Sequence, residues 1–384
     1  MSFGLGPVAL NLALEQGRLS CDSRIWCLDS SEDRRWASQT YGFPEEKIQL
    51  FQRSWPNMLG YSLAMEKAAR GRAEEKVHIV HQHGVWAGLS RSSNIMRDRC
   101  GAPIVVTPHG SLQSWAVRKS LWKKKLALAL YEGINLHNAS CFHAVGESEV
   151  ADIRNFGLMN PVAVIPNGIS QQWLDSDGNA ESFRERFEIS HDRRILLFLS
   201  RITPKKGLPM LLQSIHSLKK DFADWVLVIA GADEFGHKAK LLSIIKNLGL
   251  QDRVIFTGPL FDDTKRDAFT AADLFVLPSY SEGAPIVILE SLAAGIPVVA
   301  TKASPWKDLV MFQCGWLTEI NQNALTEALE DALGKDSKEL HEMGKRGREL
   351  VSVNYTWKKS AQMTIDLYEW LLARQERPEF VFME

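Results

Sequence analysis

Residues 274–301 read LFVLPSYSEGAPIVILESLAAGIPVVAT. The apolar run Leu274–Leu277 stops at Pro278 and Ser279. A turn follows, Ser281-Glu282-Gly283-Ala284-Pro285. An apolar stretch of helical length then leads to a second β-branched run that ends at Thr301. Short runs that are apolar on both faces are buried strands, and strand–turn–helix–strand is the repeating unit of a parallel sheet covered by helices.

The same alternation extends in both directions. After residue 193 it gives ILLFLS (195–200), WVLVIAG (225–231), RVIFTG (253–258) and the two runs above. Before it come RIWCLD (Arg24–Asp29), VHIVH (Val77–His81), PIVVTPHG (Pro103–Gly110), CFHAVG (Cys141–Gly146) and VAVIPNG (Val162–Gly168), with helical stretches such as Tyr61–Arg70 and Ser148–Phe156 between them. The pattern predicts an α/β chain of two Rossmann-like, doubly wound domains, 1–168 and 194–355. Polar, turn-rich residues 169–193 read as a linker. Residues 356–384 carry apolar side chains at helical spacing (Met363, Ile365, Leu367, Tyr368, Leu371) and predict a helix packing back on the body. In such sheets ligands bind beyond the carboxyl ends of the strands, so the residues that follow the strands are the site candidates.

Composition sets bounds. The chain has 384 residues, 45% hydrophobic and 24% charged, with a net charge of −1. Nothing global calls for nucleic acid as a partner. Five scattered cysteines, Cys21, Cys27, Cys100, Cys141 and Cys314, form no CxxC pair, which argues against a disulfide framework and fits a reducing cytosol. No apolar run has the length of a membrane span. The opening MSFGLGPVALNLALEQ lacks a basic segment, so no secretory leader is expected. Its glycine loop has no strand before it. Either the fold begins at its first helix, or the first strand lies upstream of Met1.

Three constellations carry chemistry. In FGLGPVA, Gly4, Gly6 and Ala9 satisfy G-x-G-x-x-A, and RIWCLD ends in Asp29, about where a dinucleotide site places its ribose acid. Alternatively these glycines let a loop approach a ligand or another domain. In SRITPKKG (Ser200–Gly207), Arg201 follows a strand directly, and Lys205 and Lys206 precede a glycine and a helix. Cations at that edge suit a diphosphate, with a solvated basic turn as the alternative. In SEGAPIVILE (Ser281–Glu290), Gly283 permits close backbone approach, and Pro285 suits the first turn of a helix. Free N–H groups near Ala284, Ile286 and Val287 favour an anion. Glu290 has apolar neighbours and needs a partner, whereas an isolated helical Glu would simply face water.

Taken together, these blocks resemble the donor domain of a family 4 glycosyltransferase of the GT-B fold, in which two such domains face a cleft. The first half, with VHIVHQHGVW, PIVVTPHGSLQSWAVR and FHAVGESEVADIRNFGLMNPVAVIPNGI, looks like members that assemble bacterial polysaccharide and lipopolysaccharide. The resemblance implies roles position by position. Arg201 and Lys206 bind the donor diphosphate and neutralise the leaving group. Glu290 holds the ribose hydroxyls, and Glu282 contacts the transferred sugar. Gly283, Ala284, Pro285, Ile286 and Val287 meet sugar and phosphate oxygens. Gly231 and the turn at Pro259–Leu260 border the nucleotide, and Gly6 lines the cleft. His109 is a cleft histidine, and His83, Gly84 and Gly110 lie near the acceptor. Family members usually carry an aromatic residue where Ala284 stands, so a differently shaped sugar pocket is expected.

Fixed cations beside a departing nucleoside diphosphate imply that no metal is needed. The one DxD, Asp175-Ser176-Asp177, lies away from any strand end and reads as a turn. His81 and His83 are expected to alternate at a strand end, with only one facing the cleft. Such families usually retain anomeric configuration. His109 could also be a loop histidine satisfied by hydrogen bonds.

Finally, QSWAVRKSLWKKKLALALYEG sets Arg118, Lys119, Lys123, Lys124 and Lys125 among Trp115, Leu121, Trp122 and Leu126. This stretch, 114–130, reads either as a helix on an anionic membrane or as a solvated helix on the first domain. The expected partners are a nucleotide-sugar donor and a glycan or polyprenyl-diphosphate-linked acceptor, at the inner face of the cell membrane. The rival readings are a dinucleotide-dependent oxidoreductase using GLGPVA, a GT-B epimerase or phosphorylase, and a non-catalytic nucleotide-sugar-binding subunit.

Overall fold

The computed structural model describes residues 5–28, 38, 41–56, 59–71, 76–118, 120–175 and 177–383, without the Trp115 side chain. Gly4, Asp29, Lys119 and Ser176 lie outside the described residues. The chain forms two compact units, one of residues 1–167 with 357–384, the other of residues 168–356.

The second unit holds six parallel strands: β7 (Arg194–Leu199), β8 (Trp225–Ala230), β9 (Val254–Gly258), β10 (Leu274–Leu277), β11 (Val298–Thr301) and β12 (Gly315–Thr318). Their order is β12-β11-β10-β7-β8-β9. Strand order therefore reverses between β7 and β10, the place where doubly wound sheets bind ligands. β8, β10 and β11 are buried along their whole length, as helices on both faces require.

The stretch expected to be a linker is instead part of this unit. Helix Gln172–Asp175 lies against helix Ile286–Ala293, and helix Ala180–Arg186 against helix Asp262–Ala271. Phe183 and Ile189 are buried in the same core as β7. The turn-forming residues there separate apolar anchors, and those anchors dock.

In the first unit, β3 (Val80–His83), β4 (Ile104–Thr107), β5 (Cys141–Ala144) and β6 (Val162–Val164) are parallel. β13 (Val381–Phe382) adds an antiparallel edge, giving the order β13-β6-β5-β4-β3. Instead of joining that sheet, β1 (Ile25–Leu28) pairs only with β2 (Ile48–Phe51) among the described residues. Helix Trp357–Leu371 packs on helix Leu5–Arg18, and Gln16 Nε2 donates to Tyr368 Oη across that contact at 3.3 Å. Leu5, Gly6 and Pro7, read as a loop, form the first turn of a helix. A proline there forfeits no hydrogen bond.

Candidate active site

The loops after β7 and β10 meet at the switch point of the second unit. A Cβ on Gly207 would lie 1.9 Å from the Pro278 carbonyl oxygen, and the glycine has φ +71°. Only glycine permits this approach. The Tyr280 N–H donates to the Lys205 carbonyl at 2.8 Å, fastening one loop to the other. The same approach recurs at Gly231, whose Cβ would lie 1.9 Å from the Ser200 oxygen beside Arg201.

This close fit brings Lys206 to Glu282. Nζ lies 2.5 Å from Oε1, and both side chains are about nine-tenths buried. Ser279 Oγ donates to the same carboxylate oxygen. The loop itself is braced by Thr301 Oγ1, which donates to the Ser279 carbonyl at 2.6 Å, and by the Glu282 N–H, which donates to the Ala303 carbonyl. Arg201 stands apart from this pair. It is largely exposed, and its Nη1 lies 2.9 Å from Glu234 Oε1. An exposed pair of this kind contributes about 0–1 kcal/mol.

Helix Ile286–Ala293 begins immediately after this loop. Pro285, expected in its first turn, is the N-cap instead, and no side chain caps the helix. The Ile288 N–H turns back to the Pro285 carbonyl at 3.1 Å, and the N–H groups of Ile286 and Val287, which have no acceptor within the helix, are left for another. Two turns in, Glu290 is 7% exposed. Its Oε1 lies 2.5 Å from Lys265 Nζ, while Oε2 is buried with no partner among the described residues. Such an orphan acceptor costs about 1–3 kcal/mol, more when charged, and calls for a ligand donor. Leu260, expected beside the nucleotide, sends its side chain into the core. Gly283 and Ala284 are half-buried in the loop.

The first unit gathers four histidines. His81 and His83 do not alternate. They are two residues apart on β3 and share a face, with rings stacked at 4.5 Å between centroids. His83 Nδ1 is hydrogen-bonded to His109 Nε2 at 3.0 Å, with the two rings within 21° of coplanar. His81 bonds Tyr368 Oη at 2.6 Å and Thr107 Oγ1 at 2.7 Å. His143 Nε2–H donates to the Ile165 carbonyl at 2.9 Å.

His109 has φ +52°, and Gly110 follows with φ +73°. That strained turn is held by Glu149, whose buried carboxylate accepts from Gly110 N–H at 2.6 Å and from Val145 N–H at 2.9 Å. Burial pushes the Glu149 carboxyl upward in pKa. At Gly84, φ is +86°, and a Cβ there would lie 3.1 Å from Leu5 Cδ1. Gly6 is thus at the same edge as His83 and Gly84.

Burial, then the nearby His143, lowers the His109 pKa to about 3; burial also lowers His143 to about 4 and takes His81 and His83 well below the usual value. These rings are neutral at pH 7, each able to accept one hydrogen bond and donate another. At these four histidines the unfolded chain binds more protons than the folded one in this window, while the raised Glu149 carboxyl works in the opposite direction. Stability is therefore intact above about pH 6.5 and falls as the pH drops toward 4 and then 3. Unfolding midpoints measured between pH 7 and 4 should decline, and His143→Gln should flatten the decline.

Among the described residues, no group of three or more His, Cys, Asp or Glu is placed to hold a metal ion. Asp175 accepts from Gln171, and Asp177 pairs with Arg348 at 2.8 Å. Sequence reasoning missed Lys265, Glu234, Ser279, Glu149, His143 and Tyr368. All but Ser279, which lies three residues before Glu282, meet a partner distant in the chain, and of those only the GESEV stretch around Glu149 offered a signal.

The basic stretch forms helices Ser114–Arg118 and Leu121–Ala127, then a π turn, Leu128–Glu132, and helix Gly133–Asn138. Trp122, Leu126, Leu130 and Ile134 recur every fourth residue and are exposed, Trp122 at 67%. Lys124 is not part of a free basic face, since its Nζ donates to the Ala116 carbonyl. No helix among the described residues is long and apolar enough to cross a membrane.

Two Rossmann-like units, one with cations and carboxylates gathered at its switch point, define the GT-B class of folds. HepE of Anabaena, solved in complex with UDP, shares that fold: the TM-score is 0.75 over 96% of this chain and 97% of that one, at 18% identity. Two family models match in sequence, "Glycosyl transferases group 1" over residues 179–350 and "Glycosyl transferase 4-like domain" over residues 3–168. The chain belongs to the group 1 glycosyltransferases, which sets aside the oxidoreductase reading of GLGPVA.

Among curated relatives, the lipopolysaccharide 1,2-N-acetylglucosaminetransferase of Salmonella typhimurium is 29% identical over 52% of this chain and 54% of its own length. Alpha-maltose-1-phosphate synthase of Mycolicibacterium smegmatis is 25% identical over 95% of both. In matches of the first kind the chain spans about half the length of the curated relatives.

Proposed function

We propose that this chain transfers a glycosyl group from a nucleoside-diphosphate sugar to a glycan acceptor in cell-surface polysaccharide assembly, the acceptor being carried on a lipid diphosphate. The observation that carries this is the orphan oxygen of Glu290, set one helix away from the Lys206–Glu282 pair at the switch point. A ribose hydroxyl supplies what that oxygen lacks. Glu282 takes the sugar, while Lys206 and Arg201 meet the diphosphate. The uncapped N–H groups at Ile286 and Val287 add positive potential to the same phosphates.

Negative charge builds on the departing diphosphate as the glycosidic bond breaks. Fixed cations and amides are worth most there, because they need no reorganisation. In this reading the charge is met by protein groups, so transfer persists in chelator. His109 and His83, as neutral hydrogen-bond partners, suit the hydroxyls of a glycan, with Gly84 and Gly110 leaving room for the ring. The acceptor hydroxyl attacks on the face that the diphosphate leaves, with a phosphate oxygen taking its proton, and the anomer is retained.

Thermal-shift and calorimetric titration with UDP, GDP and their sugars is expected to show binding by at least one, and NMR of the product in EDTA to show the retained anomer. Binding of none overturns the donor reading. An inverted product overturns the stereochemical one.

The exposed stripe of Trp122, Leu126, Leu130 and Ile134 beside Lys123 and Lys125 supports docking on an anionic bilayer, at the inner face of the membrane. Trp122→Ser with Leu126→Ser should reduce cosedimentation with phosphatidylglycerol vesicles about tenfold or more. Their nucleotide binding should stay unchanged. Equal cosedimentation would leave the stripe without this role.

A further inference from the structure

Helix Asp262–Ala271 follows β9 at the carboxyl edge of the second unit's sheet, and Asp262 and Asp263 open it as the helix dipole favours. Lys265 comes next among the charged residues, near an end where the dipole disfavours a cation. Its Nζ lies 2.5 Å from Glu290 Oε1, and 5.8 Å from the ring centroid of Trp173 in the former linker. Glu290 is thus asymmetric. One oxygen is engaged by a cation, and the other has no partner among the described residues. An ammonium carries three N–H donors, and Glu290 takes one.

A lone carboxylate can accept from both hydroxyls of a vicinal diol. Here Lys265 already holds one oxygen. We propose that Lys265 and Glu290 form a mixed clamp on the ribose of the donor nucleotide, Glu290 Oε2 accepting from one hydroxyl and Lys265 Nζ donating to the other. Lys265 is then a specificity-determining residue that separates ribonucleotides from deoxyribonucleotides. Seating the diol turns the buried oxygen outward by rotation about the terminal carboxylate torsion, which has a broad well. The inference rests on the donor reading above, and adds to it a residue and a division of labour.

The test is calorimetric titration of the full chain with UDP, 2′-deoxy-UDP and 3′-deoxy-UDP, with the guanosine series and inorganic pyrophosphate in parallel. The wild type should bind its ribonucleotide at least about tenfold more tightly than each deoxy form. Lys265→Met should bring one of those two ratios to within about twofold, leave the other, and leave pyrophosphate affinity unchanged. Lys265→Gln keeps an N–H beside Glu290 and should preserve part of the lost ratio. It also serves if the Met variant unfolds. Wild-type ratios in the variants overturn the clamp alone. A wild type without ribose preference also overturns it, as does a parallel fall in pyrophosphate affinity. A wild type that binds none of these nucleotides overturns the donor reading, and the clamp with it.

Discussion

Lys206→Ala is expected to remove transfer and lower the melting temperature together. Lys206 and Glu282 are both about nine-tenths buried and lie 2.5 Å apart. Truncating the lysine leaves an unpaired carboxylate in a dry site, a loss of about 3–5 kcal/mol. For a unit of this size that corresponds to a fall on the order of 10 °C in Tm. If Lys206 meets the diphosphate as proposed, transfer should fall by a factor of about 10³, the fixed cation being lost where leaving-group charge would develop.

The two effects can be separated. Lys206→Ala combined with Glu282→Gln removes the stranded charge and should recover much of the Tm while transfer stays absent. Scanning calorimetry and a transfer assay on the two variants provide the readouts. Nucleoside-diphosphate binding at wild-type strength by Lys206→Ala would remove this lysine from the donor site.

The second large effect is expected at Gly207. Gly207→Ala places a methyl 1.9 Å from the Pro278 carbonyl oxygen, at φ +71°. A left-handed conformation alone costs a β-carbon about 1–2 kcal/mol. Gly249 shows that cost in isolation, with φ +65° and nothing within 4 Å of its added Cβ. Gly249→Ala should therefore lose about 1 kcal/mol in urea denaturation. Gly207→Ala should lose more than about 3 kcal/mol, and the surviving protein should bind nucleotide poorly. The excess measures how closely the loops after β7 and β10 must approach for Lys206 to reach Glu282. Equal losses at the two sites would mean that the loops can part without consequence.

Much of this was legible in the sequence, for physical reasons. Fully buried parallel strands announce themselves as unbroken apolar runs, so β8, β10 and β11 were evident. The turn and helix of SEGAPIVILE placed Glu282 and Glu290, since one lies in the turn that follows a strand end and the other two turns into the helix after it. Partners were not legible. Lys265 lies 25 residues before Glu290, and Tyr368 lies 287 residues after His81. No local pattern joins them.

Other readings failed on local grounds. Residues 169–193 looked like a linker because Trp173, Phe183 and Ile189 are scattered among polar turn formers, yet those three are what anchor the segment. Strand period decides His81 and His83, because two residues along a strand is a return to the same face. Gly6 looked like a loop residue because glycines suggest turns, whereas Pro7 beside it is also a mark of a helix start.

The split composition of the first unit bears on how the protein is made. Residues 357–383 supply the helix that packs on Leu5–Arg18, the hydroxyl that holds His81 and the edge strand beside β6. On the ribosome these emerge only after all of the second unit. At about 5–20 residues per second, roughly ten to forty seconds separate Asn167 from Trp357. The second unit can complete itself in that interval, whereas the first must wait with its β6 edge uncovered. Exposed strand edges of that kind recruit chaperones and invite mispairing. A nascent chain stalled before residue 357 should thus carry a finished second unit, its Lys206–Glu282 pair in place, and an unfinished first unit.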